Sequence, residues 1–237
     1  MIEKKLVRKL ELLLVVVVFA VTSLKVLAGS NRLAIATLVF GEIKVKRGHN
    51  EFELKEGAAL ESKDVLKLAQ GANLELRFDK GHVLRVAGPA LLKLYPTTVK
   101  LKRGKVWLNV VKTDQGFRVV TPSFVAAVKG TCFGVDYSYK SRSGKAVVWR
   151  GLVVVRSSKQ KRYVGEKEAV EYKSGTLKYT DFDSAVLDFA AFNNWNDYLV
   201  KKAYDNWMSY CGKDENKAEY WHTVYLRLKL KSLRFGK

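Results

Sequence analysis

Two stretches with period-two patterning, Gly71 to Val86 and Val128 to Tyr139, constrain the fold most. In the first, Leu74, Leu76 and Phe78 alternate with Asn73, Glu75 and Arg77. Asp79-Lys80-Gly81 reverses the chain, and Val83, Leu84 and Val86 carry the return strand. In the second, Val128-Lys129-Gly130-Thr131-Cys132-Phe133-Gly134-Val135 leads into Asp136, Tyr137, Ser138 and Tyr139. Alternation places every second side chain on one face, and glycine supplies the turns, so both stretches are read as β-hairpins.

The same pattern runs from Ala34 to Tyr172, where fifteen short strands are expected. Among them are Thr37–Lys46, Asn73–Asp79, His82–Val86, Ala90–Tyr95, Val99–Lys102 and Lys105–Val111, with Arg103-Gly104 read as a turn between the last two. Pro89, Pro96 and Pro122 sit at strand edges or junctions, where a missing N–H is tolerated. A loose G-x-x-V/L-x-L recurrence at Gly71, Gly81 and Gly104 fits a coiled β-structure. The expected fold is mainly β: a roll or β-helix-like sandwich of short antiparallel strands.

After Ser174-Gly175 the period changes. Phe182, Val186, Phe189, Phe192, Trp195, Leu199, Ala203, Trp207 and Cys211 span 29 residues in eight steps, which is the spacing of one helix face. Thr180 can cap such a helix, Asp181 and Asp183 suit its first turn, and Gly212 ends it. Phe182, Phe189, Phe192, Trp195 and Trp207 form a candidate docking face. In the tail, Val224, Leu226, Leu228 and Leu230 alternate with Tyr225, Arg227, Lys229 and Lys231, so a short basic strand is expected. The alternative is a helix presenting Trp221, Val224, Tyr225 and Leu228.

The first residues read as a secretory signal. Lys4, Lys5, Arg8 and Lys9 precede an apolar run, Leu12 to Leu24, of 13 residues, short of the roughly 20 a spanning helix needs. Val26-Leu27-Ala28 offers small residues for cleavage between Ala28 and Gly29. The alternative is an inner-membrane anchor at residues 12–28. The expected organisation is thus a leader at 1–28, a β domain at 34–174 and a helical extension with a basic tail at 175–237. A chain cut after Ala28 keeps +17 of the formal +20 charge, enough to attract anionic polymers or membrane surfaces. Export makes nucleic acid an unexpected partner. It also makes a Cys132–Cys211 disulfide chemically permissible across about 80 residues; two buried free thiols are the other reading.

Four segments together resemble the FecR domain family. Its pattern "L-x-x-G-D-x-L-x-T … A-x-L-x-F-x-D-G-S" is matched by Lys63-Asp64-Val65-Leu66 and by Leu74 to His82. The "L-x-x-G-x-V" step is matched by Leu101 to Val106, with Gly104 in place. "F-x-V-x-T-P … A-x-V-x-G-T-x-F-x-V" is matched by Phe117 to Thr121-Pro122 and by Ala127 to Val135, which includes Gly130, Thr131 and Phe133. A glycine between valine-rich strands is matched by Gly151. Lys63 stands where the pattern has Gly, and the Thr of L-x-T is replaced near Leu68-Ala69. The resemblance covers roughly Ala36 to Tyr172 and implies a role in envelope signal perception or organisation. It is to a stand-alone member without the anti-sigma N-terminal domain, so direct sigma-factor control is not expected. The signature residues are read as scaffold: Gly81 closing a hairpin, Thr131 serving a nearby backbone group, and Phe133 starting an inward strand.

Catalytic and metal chemistry lack a motif. His49, His82 and His222 are far apart, neither cysteine has a C-x-x-C partner, and there is no G-x-S-x-G elbow, P-loop or dinucleotide fingerprint. No cofactor is expected. The expected function is a non-enzymatic exported envelope protein that binds a protein or peptide partner. The alternative is an electrostatic binder of anionic envelope polymer or membrane surface.

Overall fold

The computed structural model describes residues 32–189, 192 and 195–235, so the expected leader and its junction at Ala28 and Gly29 lie outside the described residues. In chain order the strands are β1 Arg32–Phe40, β2 Ile43–Arg47, β3 Asn50–Glu53, β4 Ala59–Glu61, β5 Val65–Leu68, β6 Asn73–Phe78, β7 Val83–Tyr95 and β8 Thr98–Asn109. They continue with β9 Phe117–Val120, β10 Phe124–Val128, β11 Cys132–Ser138, β12 Ser143–Arg150, β13 Val153–Ser157, β14 Lys161–Val164, β15 Glu168–Lys173 and β16 Thr176–Thr180. Among the described residues the helices that follow are α1 Phe182–Leu187, α2 Trp195–Tyr210 and α3 Glu215–Phe235. None of the described helices is long and apolar enough to cross a membrane.

The long β7–β8 ribbon organises the sheet. Its first half, Val83–Ala87 with Lys105–Asn109, is flanked by β6 and β11. Its second half, Leu91–Tyr95 with Thr98–Arg103, is flanked by β5 and by β9, which runs parallel to β8. One continuous sheet therefore has two halves that share this ribbon. The first runs β4-β1-β6-β7-β8-β11-β12-β15-β16 and the second β3-β2-β5-β7-β8-β9-β10-β13-β14. Both bury one face in the same apolar core: Leu74, Leu76, Leu84 and Val135 from the first, and Ile43, Leu66, Leu92 and Val155 from the second. The mainly β, sandwich-like expectation matches this arrangement.

The ribbon bends where two strand pairs were expected. His82–Val86 and Ala90–Tyr95 are a single strand, as are Val99–Lys102 and Lys105–Val111, and Arg103-Gly104 is not a turn. The register slips between Ala87 and Leu92, opposite Gly104. Gly104 has φ +108°, and a Cβ there would lie 2.6 Å from the Ala90 Cβ. A residue read as a turn signal is thus the point where a ribbon folds tightly enough to serve two layers. The Thr37–Lys46 strand instead divides into β1 and β2 at Gly41, and β4 and β16 add short strands that carried no expectation.

A bulge lets β1 serve both faces of the first half. Ala34 and Ala36 sit opposite Phe78 and Leu76 and join the central core. The register shifts between Ala36 and Leu38, which brings Leu38 opposite Glu75 and turns Leu38 and Phe40 to the outer face. There they pack with Val147, Ala169 and the helices in a second core. The β layers and helices form one compact unit, Leu33–Lys237.

The helical region corrects three expectations. The stripe is not one helix: α1 ends at Leu187 with Asp188 as its C-cap, and α2 starts at Trp195. Its cap is Asp181, not Thr180, and the Asp181 carboxylate accepts from the Ser184 N–H at 2.7 Å. The tail is helix α3, not a strand. Val224 and Leu228 are buried and Trp221 and Tyr225 half-buried, which is the i, i+3, i+4 face, while Leu226 is exposed. Period two and period 3.6 both place residues four apart on one face, and packing chose between them.

Lys63 also acquires a physical account. It has φ +76°, a left-handed position that a glycine adopts with less strain than a lysine. Lys63→Gly is expected to raise stability by up to about 1 kcal/mol, read as an upward shift in the urea midpoint.

Candidate binding face

The aromatic stripe docks on its own protein. Phe189, Phe192 and Trp195 are each at most 2% exposed. Gly134 makes room for this: a Cβ there would lie 2.5 Å from the Phe189 ring. Trp195 stacks on Phe192 at 5.1 Å. The Arg85 guanidinium lies 4.9 Å from the Trp107 ring and 5.7 Å from the Trp195 ring, and donates to Glu75 at 2.8 Å and to the Phe192 carbonyl at 2.9 Å. Phe182 meets Trp149 edge-on at 6.4 Å, and Trp207 stacks on His222 at 4.1 Å within the α2–α3 pair. Phe182, Phe189, Phe192 and Trp195 therefore fix the helices to the outer face of the first half, while Trp207 joins α2 to α3.

Charges on that covered face alternate. In register across five strands stand Lys105, Asp136, Lys145, Glu171 and Lys178. Lys145 also pairs with Asp188, and Lys105 donates to the Asp188 carbonyl at 2.6 Å. Burial raises the Asp136 carboxyl, while Lys105 and Lys145 pull it back down.

Among the described residues no helix packs on the outer face of the second half. Its cross-strand row runs Lys46, Val65, Lys93, Lys100, Val120, Val125, Arg156 and Lys161, one residue from each of eight strands. Three cation pairs stand directly opposite one another on this face: Lys44 and Lys67, Lys93 and Lys100, Arg156 and Lys161. Like charges in that position destabilise a sheet. Lys44 reaches Glu42 at 3.5 Å. Among the described residues no ion pair forms at Lys46, Lys67, Lys93, Lys100, Arg156 or Lys161. Glu51 and Glu53, on the β3 edge, are the carboxylates in register with this face. In its middle lies a groove of about 390 Å³ with Val65, Leu91 and Pro122 among its apolar walls and Lys93, Lys100 and Lys102 around them.

The signature residues hold the scaffold around this face. Asp64 is fully buried and accepts from Arg47 Nε at 2.9 Å and Nη2 at 2.7 Å, and from the Glu61 N–H at 2.8 Å. The Asp64 bonds, with Coulombic help from Glu61, raise the Arg47 pKa above its ordinary value. Thr121 Oγ1 donates to the Phe124 carbonyl at 2.8 Å and accepts the Phe124 N–H at 2.9 Å, which closes the β9–β10 turn over Pro122. Thr131 is buried and donates to the Leu152 carbonyl at 3.2 Å; Gly130 and Gly151 bracket it in the β10–β11 and β12–β13 connections. Gly81 lies in the β6–β7 turn, and Phe133 is fully buried.

Other reactive groups are not assembled into a site. Among the described residues no three His, Cys, Asp or Glu groups could share a metal. Cys132 and Cys211 are both free, and Cys211 is exposed in the turn after α2 instead of buried on the stripe. Burial pushes the Cys132 thiol up to about 11, which leaves it protonated and weakly nucleophilic at neutral pH.

His82 is 1% exposed and packs edge-on against Phe117, and its Nδ1 accepts the Val111 N–H at 3.2 Å. Burial, then Lys80, lowers its pKa from 6.5. The neutral ring belongs to the fold, and the unfolded chain takes up the proton first. Its contribution is therefore complete above about pH 6.5 and lost as pH falls from there through the folded pKa. His82→Gln is expected to flatten the fall in urea midpoint between neutral and acidic pH.

Residues 64–154 match the FecR protein family model. Two crystal structures of a "putative anti-sigma factor from Parabacteroides distasonis ATCC 8503" align at 16% and 17% identity, with TM-scores of 0.46 and 0.47. The alignments cover 49% and 52% of this chain and 59% and 63% of those chains. The chain thus spans about six-tenths of the length of these neighbours. No curated protein matches the chain. The Asp64 anchor, the Gly104 bend, the Thr121-Pro122 turn and the Gly130-Thr131 connection all fall inside the segment, residues 64–154, that is similar to the FecR protein family.

Proposed function

We propose that this protein is a non-enzymatic, exported FecR-domain module that acts in envelope signalling by binding a ligand on the open face of its second half-sheet. The observation that carries the reading is the asymmetry between the two outer faces. The helices and alternating charges close one, and the other has a groove and opposed cations in the open. The family match supports the signalling role. The basic n-region and 13-residue apolar run support export.

Two measurements test this. Alkaline phosphatase fused after Asn31 should be active, and an inactive fusion would remove export. A photocrosslinking residue at Val65 or Val120 should give specific products in the native cells, and the same residue at Tyr220 on α3 should not. Products from Tyr220 with none from either face position would overturn the choice of face.

A further inference from the structure

We propose that the open face binds a linear polyanion laid across the strands, its acidic groups set against Lys46, Lys93, Lys100, Arg156 and Lys161. This rests on the binding-face reading above and names the ligand class.

Geometry favours a chain over a point anion. The row crosses eight strands, and at the usual spacing between neighbouring strands it runs for about 33 Å along the sheet surface. Val65, Val120 and Val125 interrupt the cations, so charge comes in separated groups with apolar surface between them. A polymer with an acid on each repeat and a less polar backbone matches that alternation. The opposed pairs Lys93–Lys100 and Arg156–Lys161 cost stability when the face is empty, and an anion between each pair relieves it. Sequence composition alone does not force this arrangement, because the covered face of the same sheet interleaves its charges residue by residue.

A membrane surface fits less well. Val65, Leu91, Val120 and Val125 on this face are half-buried, and the exposed Tyr163 ring is held by Lys161, whereas insertion into the headgroup boundary needs apolar side chains that project. Tyr95 turns its ring to Lys93 and Lys100 at 5.8 and 5.2 Å, which holds that ring against the cations it would have to leave.

The test uses the full exported chain and polygalacturonate, a linear polymer with one carboxylate per sugar. One variant reverses the row (Lys93→Glu, Lys100→Glu, Arg156→Glu). A second reverses three exposed lysines elsewhere (Lys173→Glu, Lys178→Glu, Lys213→Glu), so the net charge of the two is the same. Far-ultraviolet circular dichroism establishes that both fold. The row variant should weaken binding about tenfold or more, with a shallower salt dependence, and the control variant should not. Equal weakening of both variants would reduce the effect to net charge and overturn the proposal. So would binding confined to phosphatidylglycerol–phosphatidylcholine vesicles. Protein crosslinks at Val65 or Val120 with no polymer binding would overturn the polyanion but keep the face. An absence of any crosslink there would remove the face itself.

Discussion

Replacing Arg47 with methionine is expected to destabilise the protein by about 3–5 kcal/mol, because it leaves a fully buried carboxylate without its cation. Asp64 has no exposed surface, and both its oxygens accept from the Arg47 fork. The Glu61 N–H remains as a partner but carries no full charge. The two ends of the pair are unequal: the Arg47 side chain is 33% exposed and also pairs with Glu61 at 2.5 Å. Asp64→Asn should therefore cost less, about 1–3 kcal/mol, since the freed guanidinium can be rehydrated while the amide keeps some hydrogen bonds. The double variant Arg47→Met, Asp64→Leu should recover much of the single Arg47 loss, as apolar replacement of a buried pair often does. Urea midpoints for the three variants check the order. Equal losses for Arg47→Met and Asp64→Asn would contradict an account based on a stranded buried charge.

The Arg47–Asp64 pair also marks where sequence reading stops. The two residues are 17 apart, and neither belongs to a motif with the other. Their contact exists because β2 pairs with β5 and returns Arg47 over the β4–β5 turn. The hairpin at Asn73–Val86 was legible because alternation and turn residues are local. Val128–Tyr139 is not the hairpin its alternation suggested: the chain crosses at Gly130, β10 pairs with β9 and β13, and β11 pairs with β8 and β12. Gly104 was misread because a glycine that bends a ribbon and one that reverses it look alike in sequence. The basic row was invisible for a stronger reason. Its members come from β2, β7, β8, β13 and β14, and become neighbours through register, including the parallel β8–β9 pairing that no local signal announces. The charge excess was plain in the composition, but the alignment of five of its cations across one face was not. The helical stripe was legible as an apolar face, and what it could not reveal was the surface opposite. The Thr37 bulge, which turns Leu38 and Phe40 toward the helices, and the Gly134 gap that admits Phe189 supply that surface.

Trp195→Ala is expected to cost about 3–5 kcal/mol, the usual loss for truncating a large buried aromatic. The ring is 2% exposed, stacks on Phe192 and forms one wall against Arg85. Its removal leaves a void beside a half-buried guanidinium whose remaining partners are Glu75, Trp107 and the Phe192 carbonyl. Because Leu38, Phe40, Val147 and Ala169 lie on the other side of the same core, the loss should reach the sheet as well as the helices. Urea unfolding followed in parallel by circular dichroism at 222 nm and by tryptophan fluorescence separates two cases. Coincident curves shifted to lower urea mean that helices and sandwich unfold together, with the helical layer as part of the domain's core. A 222 nm transition that precedes an unshifted sheet transition would mean that the helices are a detachable cover. The covered face of the first half could then open, and the asymmetry that assigns ligand binding to the second half would no longer hold.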